Sequence, residues 1–303
     1  ALAELGEYTK DPDANIIKLP NISASIPQLR AAIKELNEQG YKVPEYKENP
    51  ETDEEKEIHA RYSKVLGSAV NPVLREGNSD RRAPAAVKAF ARKFPHTMGE
   101  WSPASRTHVA HMRGGDFYSS EQSVTLDKAT NARIVFENKK GEQTVLKSDL
   151  PLQEGEVLDG MFMSKKELVK FFEGAIEDCE KTGVMFSLHV KATMMKISHP
   201  IVFGHAVKVF FKELFDKYGD LFNEIGVNPN NGLSSVVEKI KQLPESKQEE
   251  IQEALHACYE HRPEIAMVDS VKGITNLHVP SDVIVDASMP AMIRNSGKMW
   301  ARD

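Results

Sequence analysis

The sequence predicts an α/β fold, and three observations support this. The apolar run "ANIIKLP" (14–20) has the length of a buried strand, and the polar turn "NISAS" links it to an amphipathic stretch over 26–39. From residue 163 onward, stretches of strand and helix character alternate, as in sheets of parallel strands with crossover helices. Between these parts, "RIVFENKKGEQTVLK" (133–147) has two β-rich runs around Lys-Lys-Gly, which predicts an inserted antiparallel hairpin.

Helix signals recur along the first third of the chain. Ser25 and Gln28 have the spacing of a capping box, in which the first and fourth residues bond each other's backbone N–H groups. Thr52 and Glu55 repeat that spacing at the end of a charged loop. The predicted helices in this part span 26–39, 52–64 and 85–93.

The second half of the chain carries the alternating elements. Ser164 and Glu167 have the spacing of another capping box, which begins a helix. Gly183 is the stop signal that ends this helix. Apolar residues at helical spacing predict further helices, and short apolar runs predict strands. The predicted helices span 163–183, 204–219 and 246–259, and the predicted strands span 184–191 and 282–288.

Composition excludes several classes of protein. The 303-residue chain has a formal net charge of −6, so any binding of nucleic acid or an anionic membrane would need a local basic site. No apolar run approaches the length of a membrane span. The two cysteines form no metal or redox pattern, which favours a reducing cytoplasm. The chain starts without methionine and stops at "GKMWARD", and we interpret it as a fragment.

The stretch "GSAVNPVLREGNSDRRAP" (67–84) is a candidate anion-binding site. Its arginines have the side chain best shaped to hold carboxylate or phosphate, and serine and asparagine add neutral donors. The alternative is a solvated loop whose arginines pair with Glu76 and Asp80. Composition alone leaves the two interpretations nearly even. The residues that could bind the anion are Ser68, Asn71, Arg75, Arg81 and Arg82.

Two charged residues stand at the carboxyl ends of predicted strands, where ligands bind in open α/β sheets. Lys191 ends "VMFSLHVK" on its more polar face, and a lysine near other cations can act as a base. Asp286 ends the apolar run "VIV" and has the position of a metal ligand or catalytic group. The alternatives are an edge lysine in water and a turn or cap aspartate.

Other motifs carry weaker signals. His108 and His111 could share a helix face, but no third ligand is evident, so we interpret them as structural. The turn "GVNPNNG" (226–232) is interpreted as a plain connector. No glycine-rich dinucleotide or Walker motif is present.

Four long motifs together resemble one known family. "LPNISASIPQL", "GSAVNPVLREGNSDRRAP", "FSLHVKATMMK" and "HVPSDVIVDASMPAMIR" are similar to the monomeric type of NADP-dependent isocitrate dehydrogenase. The likeness runs through essentially all 303 residues. The family's chain is much longer, and this sequence resembles its amino-terminal portion.

The resemblance implies roles for particular residues. It implies that Lys191 is the catalytic lysine and also contacts substrate, and that Asp286 is one of the aspartates that hold Mg²⁺ or Mn²⁺. The positions matching isocitrate contacts are Ser68, Asn71, Arg75 and Arg81. The positions matching NADP contacts are Asn21 and Ser23. Arg82 and Asp80 match no assigned position.

The resemblance also implies the architecture and the reaction. The expected fold is that of isocitrate and isopropylmalate dehydrogenases, two α/β domains with the active site in the cleft between them. Residues 1–79 are expected in one domain and 80–303 in the other. The expected reaction is the metal-dependent oxidative decarboxylation of isocitrate in the tricarboxylic acid cycle, with NADP⁺ as oxidant.

The remaining site residues of the family are expected after residue 303. The chain alone is therefore expected to be inactive, and its uncovered domain faces are expected to favour self-association, although the family is monomeric. The alternative is a non-catalytic anion-binding fragment. No nucleic-acid or membrane partner is expected.

Overall fold

The structure is a computed structural model of the 303-residue chain. It describes residues 22–24, 26–63, 67–70, 85–95, 99–190, 195, 197–280 and 292–301.

Helices dominate the described part of the chain. The α-helices are α1 (Ile26–Glu38), α2 (Asp53–Ser63), α3 (Ala85–Lys93), α4 (Phe117–Ser120), α5 (Lys165–Thr182), α6 (Ser198–Phe210), α7 (Lys212–Glu224), α8 (Leu233–Lys239) and α9 (Glu245–Glu260). Short 3₁₀ turns cover Pro229–Asn231 and Ile240–Gln242. The strands are β1 (Ile22–Ala24), β2 (Gly67–Val70), β3 (Gln122–Thr125), β4 (Thr130–Glu137), β5 (Gln143–Leu152), β6 (Val157–Gly160), β7 (Met267–Asp269) and β8 (Ile274–Thr275).

Residues 109–172 form the smaller of two compact units. In it β4 pairs antiparallel with β5, and β3 pairs antiparallel with β6. The Oδ1 atom of Asn138 accepts bonds from the backbone N–H groups of Lys140 (2.9 Å) and Glu142 (3.1 Å), which closes the β4–β5 turn. Gly141 has φ +81°, a conformation that glycine adopts without strain. The predicted hairpin is confirmed.

Residues 1–108 and 173–303 form the larger unit, whose core lies among α6, α7 and α9. Phe210, Phe211, Leu214 and Ile251 are each at most 1 % exposed. The sequence predicted helix over 204–219, and the structure has two helices there, α6 and α7. The helix breaks at Phe211, where φ is −101° and ψ is +36°. The break lets two adjacent phenylalanines, which would point about 100° apart on a continuous helix, both enter the core.

Both cysteines of the chain lie in this unit as buried free thiols. Cys179 is in α5 and Cys258 is in α9. Burial, with the nearby carboxylates of Asp178 and Glu180, raises the pKa of Cys179 to about 11. Burial also raises the pKa of Cys258. Both thiols are therefore held in the protonated form at neutral pH.

A second hydrophobic cluster fixes α1. Leu29 and Ile33 of α1 pack with Tyr46 from the charged loop, and Tyr62 of α2 covers the cluster. The predicted second capping box is confirmed, since Glu55 N–H donates to Oγ1 of Thr52 (3.2 Å) and Thr52 N–H donates back to the Glu55 carboxylate (3.3 Å). The loop between α1 and α2 is thus anchored at both ends.

The mixed helix and strand content is confirmed, but the predicted parallel strands pair little. Every strand ladder in the described ranges is antiparallel, and the parallel pairing there is a single bridge between Phe186 and Ile265. Phe186 N–H donates to Glu264 O (2.7 Å), and Ala266 N–H donates to Phe186 O (3.0 Å). Ala266 O instead accepts from Asn276 N–H (2.8 Å), so the ladder does not continue to Leu188. The described residues 184–190 of the predicted strand over 184–191 therefore have one bridge in place of a strand ladder.

Candidate functional site

Most of the predicted site residues lie outside the described part of the chain. Ser23 and Ser68 are described in their backbone only, in β1 and β2. Val190 is described and directly precedes Lys191. The predicted site residues outside the described ranges are Asn21, Asn71, Arg75, Arg81, Lys191 and Asp286.

The structure brings two of the predicted site segments together. β1 and β2 pair antiparallel, with Ser23 opposite Ser68 and Ile22 opposite Val70. These strands belong to the predicted cofactor turn and the predicted substrate loop. In sequence Asn21 directly precedes Ile22, and Asn71 directly follows Val70. The predicted cofactor and substrate segments are therefore continuous in sequence with paired residues at one end of this ladder.

The segment before Lys191 rests on the aromatic core. The ring of Phe186 stacks on that of Phe210, with centroids 6.0 Å apart and planes 28° from parallel. Phe186 is 6 % exposed and Val190 is 9 % exposed, so both side chains are buried. These are described residues that precede Lys191 in sequence.

The turn over 228–235 makes specific hydrogen bonds, although its sequence was interpreted as a plain connector. The Oδ1 atom of Asn228 accepts from Asn230 N–H (3.1 Å), and Asn228 N–H donates to Oγ of Ser235 (3.0 Å). Gly232 has φ +84°, and Leu233 N–H donates to Leu277 O (3.0 Å). The turn is therefore packed directly against the segment that leads to residue 281, beyond which Asp286 lies.

Glu48 ties that turn to α1, a contact that sequence reasoning missed. Its Oε1 atom accepts from Nη2 of Arg30 (2.7 Å) and from Nδ2 of Asn231 (3.0 Å). Its Oε2 atom accepts from Nδ2 of Asn228 (3.0 Å). The partners are remote in sequence, so no local pattern could reveal the contact. Asn231 is only 6 % exposed, so Glu48 satisfies a buried amide donor.

We expect Glu48→Ala to lower the free energy of unfolding by about 2 kcal/mol, because it leaves three donors without this acceptor. Chemical denaturation of the purified chain measures the loss. The matched control is Glu45→Ala, which removes an exposed carboxylate from the same loop and is expected to change stability by less than about 0.5 kcal/mol. Equal losses in the two variants would contradict the assigned role of Glu48.

A groove of about 950 Å³ lies beside this contact. It contains both cationic and anionic side chains, so its charge selects no particular ligand. Its lining residues are Arg30, Ile33, Lys34, Asn37, Glu38, Glu45, Tyr46, Glu238, Lys239, Lys241 and Gln242.

His108 has carboxylate and carbonyl partners. Its Nδ1 atom lies 2.8 Å from Arg106 O, and its Nε2 atom lies 2.9 Å from Oδ2 of Asp178. The bond to the Arg106 carbonyl, together with the charge of Asp178, raises the pKa of His108. Within the described ranges no cluster of three His, Cys, Asp or Glu side chains could hold a metal ion. No described helix combines the length and apolar character needed to cross a membrane.

Three other histidines are mostly buried. Burial lowers the pKa values of His189, His199 and His278. Burial is the largest cause at His278, whose Nδ1 atom also accepts a bond from Thr275 N–H (2.8 Å). The folded chain therefore favours the neutral form of these rings.

We expect acidification to lower the thermal unfolding midpoint. When the folded-state pKa of a histidine is depressed, the unfolded state binds protons first as the pH falls through about 6.5, and stability is lost below that pH. His108 changes stability in the opposite direction. Its contribution to the free energy of unfolding is complete below about pH 6.5 and is lost as the pH rises through its elevated folded-state pKa. It is exposed, so its effect is below about 1 kcal/mol.

Unfolding followed by circular dichroism between about pH 7.5 and pH 5.5 tests this balance, because most carboxylates stay ionised there. His108→Gln should steepen the loss of stability with acidification, since it removes the opposing contribution. A midpoint that rises as the pH falls would contradict the expectation.

Comparison with known proteins identifies close relatives. The family model described as monomeric isocitrate dehydrogenase matches residues 1–303. Isocitrate dehydrogenase (NADP) 2 of Mycobacterium tuberculosis is 65% identical over 302 residues, which are 100% of this chain and 40% of that protein. Isocitrate dehydrogenase (NADP) 2 of Psychrobacter sp. is 63% identical and isocitrate dehydrogenase (NADP) of Azotobacter vinelandii is 58% identical, each with 41% of its own length covered. The chain thus spans about 40% of the length of these curated relatives.

Proposed function

Because the chain belongs to the monomeric isocitrate dehydrogenase family, we propose that it is the amino-terminal part of an enzyme that converts isocitrate and NADP⁺ to 2-oxoglutarate, CO₂ and NADPH. The relatives that it matches throughout its length carry NADP isocitrate dehydrogenase names. The fold proposed for the whole enzyme is that of isocitrate and isopropylmalate dehydrogenases, with the active site in a cleft between two domains.

The pairing of β1 with β2 is the observation that carries this proposal. Hydride transfer requires the cofactor and the substrate carbon to be within contact distance. Ser23, proposed for NADP, lies opposite Ser68, proposed for isocitrate. Asn21 and Asn71, proposed for the same two ligands, are the chain neighbours of the paired residues Ile22 and Val70. This shared ladder end supports the proposal that the two ligand segments lie close together.

The substrate residues fit the chemistry of a tricarboxylate. Arg75 and Arg81 can each form two parallel N–H···O bonds to a carboxylate, which fixes both charge and orientation. Ser68 and Asn71 add neutral donors to the remaining oxygens. The local arginine excess in a chain of net charge −6 is consistent with a confined anion site.

Lys191 is proposed to take the proton of the C2 hydroxyl while hydride leaves C2 for NADP⁺. The resulting β-keto acid loses CO₂, and protonation of the enolate completes 2-oxoglutarate. Asp286 is proposed as one ligand of Mg²⁺ or Mn²⁺, since a carboxylate provides the hard oxygen that these ions prefer. When bound, such an ion stabilises negative charge that develops on the substrate oxygens. Because the chain spans about 40% of the length of its relatives, further ligands are proposed to lie in the part of those proteins that it does not match.

The same proposal extends to the domain boundary, the self-association and the cellular location of the chain. The boundary between the two domains is proposed near residues 79 and 80, outside the described ranges. Self-association of the isolated chain is proposed through apolar side chains that the β4–β5 hairpin exposes, namely Ile134, Phe136, Val145 and Leu146, which are 48–66 % exposed. A reducing cytoplasm is the proposed location, consistent with the two free thiols.

An activity assay tests the proposed function. The 303-residue chain is prepared alone and also joined to the part of the Mycobacterium tuberculosis relative that follows the matched region. Each is given isocitrate, NADP⁺ and Mn²⁺, and NADPH formation is followed by absorbance. The joined protein is expected to form NADPH, and the chain alone is expected to form none.

Two controls sharpen this assay. Lys191→Met in the joined protein should abolish turnover, while the intact relative should be active under the same conditions. A joined protein that folds but forms no NADPH would contradict the proposed function. NADPH formation by the chain alone would overturn its expected inactivity. Thermal stabilisation of the chain by isocitrate with Mn²⁺, measured in parallel, reports a retained substrate half-site.

A further inference from the structure

We propose that Asn276 is the positioning residue for Lys191. Its side chain takes the place of a strand partner and holds the backbone that leads to Lys191. The role in catalysis rests on the proposed function. The geometric part of the proposal concerns described residues and is tested independently of activity.

The argument begins with the parallel bridge at Phe186. In a continued parallel ladder Leu188 N–H would donate to Ala266 O, two residues beyond the first bond. Ala266 O instead accepts from the backbone N–H of Asn276 (2.8 Å). The bridged strands therefore separate after Phe186.

The side chain of Asn276 replaces the missing partner. Its Oδ1 atom accepts from Leu188 N–H (2.6 Å), and its Nδ2 atom donates to Leu188 O (2.9 Å). Both backbone groups of Leu188 are thereby bonded to one carboxamide, which takes the place of the N–H and C=O that a partner residue would present in a ladder. Asn276 is 7 % exposed, so these bonds lie away from water, where leaving either group unpaired is most costly.

This side chain links the two predicted catalytic segments. Leu188 precedes Lys191 by three positions, and Val190 between them is buried. Asn276 lies in the stretch 274–280, after which the chain continues toward Asp286. Leu277 O and His278 O of that stretch accept from Leu233 and Ser234, so the stretch is itself fixed. In the proposed reaction, a shift of Asn276 would displace Leu188 and with it the backbone that leads to the general base.

The residue type is specific to this role. The asparagine carboxamide presents an N–H donor and a C=O acceptor side by side, whereas ionised aspartate provides acceptors only. In Asn276→Asp, one carboxylate oxygen would face Leu188 O and repel it. Protonation of that carboxyl restores an O–H donor beside the remaining acceptor. The aspartate variant should therefore recover the two bonds as the pH falls.

Amide hydrogen exchange of the 303-residue chain tests the geometric part. In the unmodified chain, the Leu188 amide should exchange as slowly as amides of the buried core. Asn276→Ala should accelerate exchange at Leu188 by about tenfold or more, since two buried bonds are lost. The control is Asn231→Ala, which removes an equally buried carboxamide (6 % exposed) that bonds Glu48 instead. Its exchange at 186–190 should match that of the unmodified chain.

Several results would overturn the geometric part. One is fast exchange at Leu188 in the unmodified chain, which needs no variant to fold. Another is equal exchange at 186–190 in Asn276→Ala and Asn231→Ala. In Asn276→Asp, exchange relative to the unmodified chain at each pH should fall with acidification, and a ratio that does not change with pH would also contradict the proposal.

Kinetics of the joined enzyme test the catalytic part. Asn276→Ala should lower kcat by about tenfold or more and leave KM for NADP⁺ nearly unchanged, because a displaced base slows proton removal. Asn276→Asp should regain kcat at low pH relative to the unmodified enzyme. An unchanged kcat with accelerated exchange would overturn the positioning role. Lack of activity in the joined enzyme with Asn276 intact would instead contradict the proposed function, and the exchange data would still decide the geometry.

Discussion

We expect Gly232→Ala to lower the free energy of unfolding of the larger unit by about 3 kcal/mol or more. Gly232 has φ +84° and ψ −179°, a region that only glycine enters readily. A Cβ atom there would lie 2.0 Å from His278 O, and that oxygen belongs to the backbone and cannot rotate away. The substitution must therefore displace the chain at 277–278 and weaken the bonds from Leu233 and Ser234.

Thermal unfolding of the purified variant measures the effect, with an expected fall in midpoint of about 6 °C or more. The matched control is Gly219→Ala in α7. A Cβ atom at Gly219 meets nothing within 4 Å, and alanine is the better helix former there, so stability should rise by about 0.5–1 kcal/mol. The same glycine-to-alanine change is therefore expected to lower stability at position 232 and to raise it at position 219. A loss of stability in both variants, or in neither, would contradict this expectation.

The second large effect is expected for Phe210→Ala, with a loss of about 3–5 kcal/mol. Phe210 is 0 % exposed and contacts both Phe186 and Phe211, with ring centroids 6.0 and 5.0 Å away. Truncation leaves a cavity between α6 and the segment that approaches Lys191. Stability and the mobility of that segment should therefore change together.

Denaturation with guanidinium measures the free energy of unfolding. Hydrogen exchange at 184–190 measures how often that segment opens locally. Phe94→Ala is the control, because its ring is 56 % exposed and its removal should alter stability by less than about 0.5 kcal/mol. If Phe210→Ala lowered stability no more than Phe94→Ala, the assignment of the core would be wrong.

Local signals in the sequence were reliable because each involves residues within a few positions of one another. The Thr52 and Glu55 capping box forms as predicted. Glu167 N–H donates to Oγ of Ser164 (3.4 Å), and α5 is followed by Gly183 at φ +64°. The turn at Lys-Lys-Gly closes the predicted hairpin. In each case the bonds depend on neighbours and not on the rest of the fold.

Longer-range features were not predictable in this way. The break at Phe211 arises because tertiary packing buries both phenylalanines, and helix propensity does not report this. The bonds from Asn276 to Leu188 and from Asn231 to Glu48 span 88 and 183 positions. Roles for Lys191, Asp286 and the arginines of 67–84 came from resemblance to a family, since composition left pocket and loop nearly even. They remain predictions.

The two buried thiols give the chain a built-in reporter of opening. Alkylating reagents attack thiolates, and at neutral pH the elevated pKa values of Cys179 and Cys258 leave almost none of that form in the folded state. Labelling must therefore wait until α5 or α9 separates from the core. The rate at which each cysteine is modified in weak denaturant then times the opening of its own helix, without any added probe.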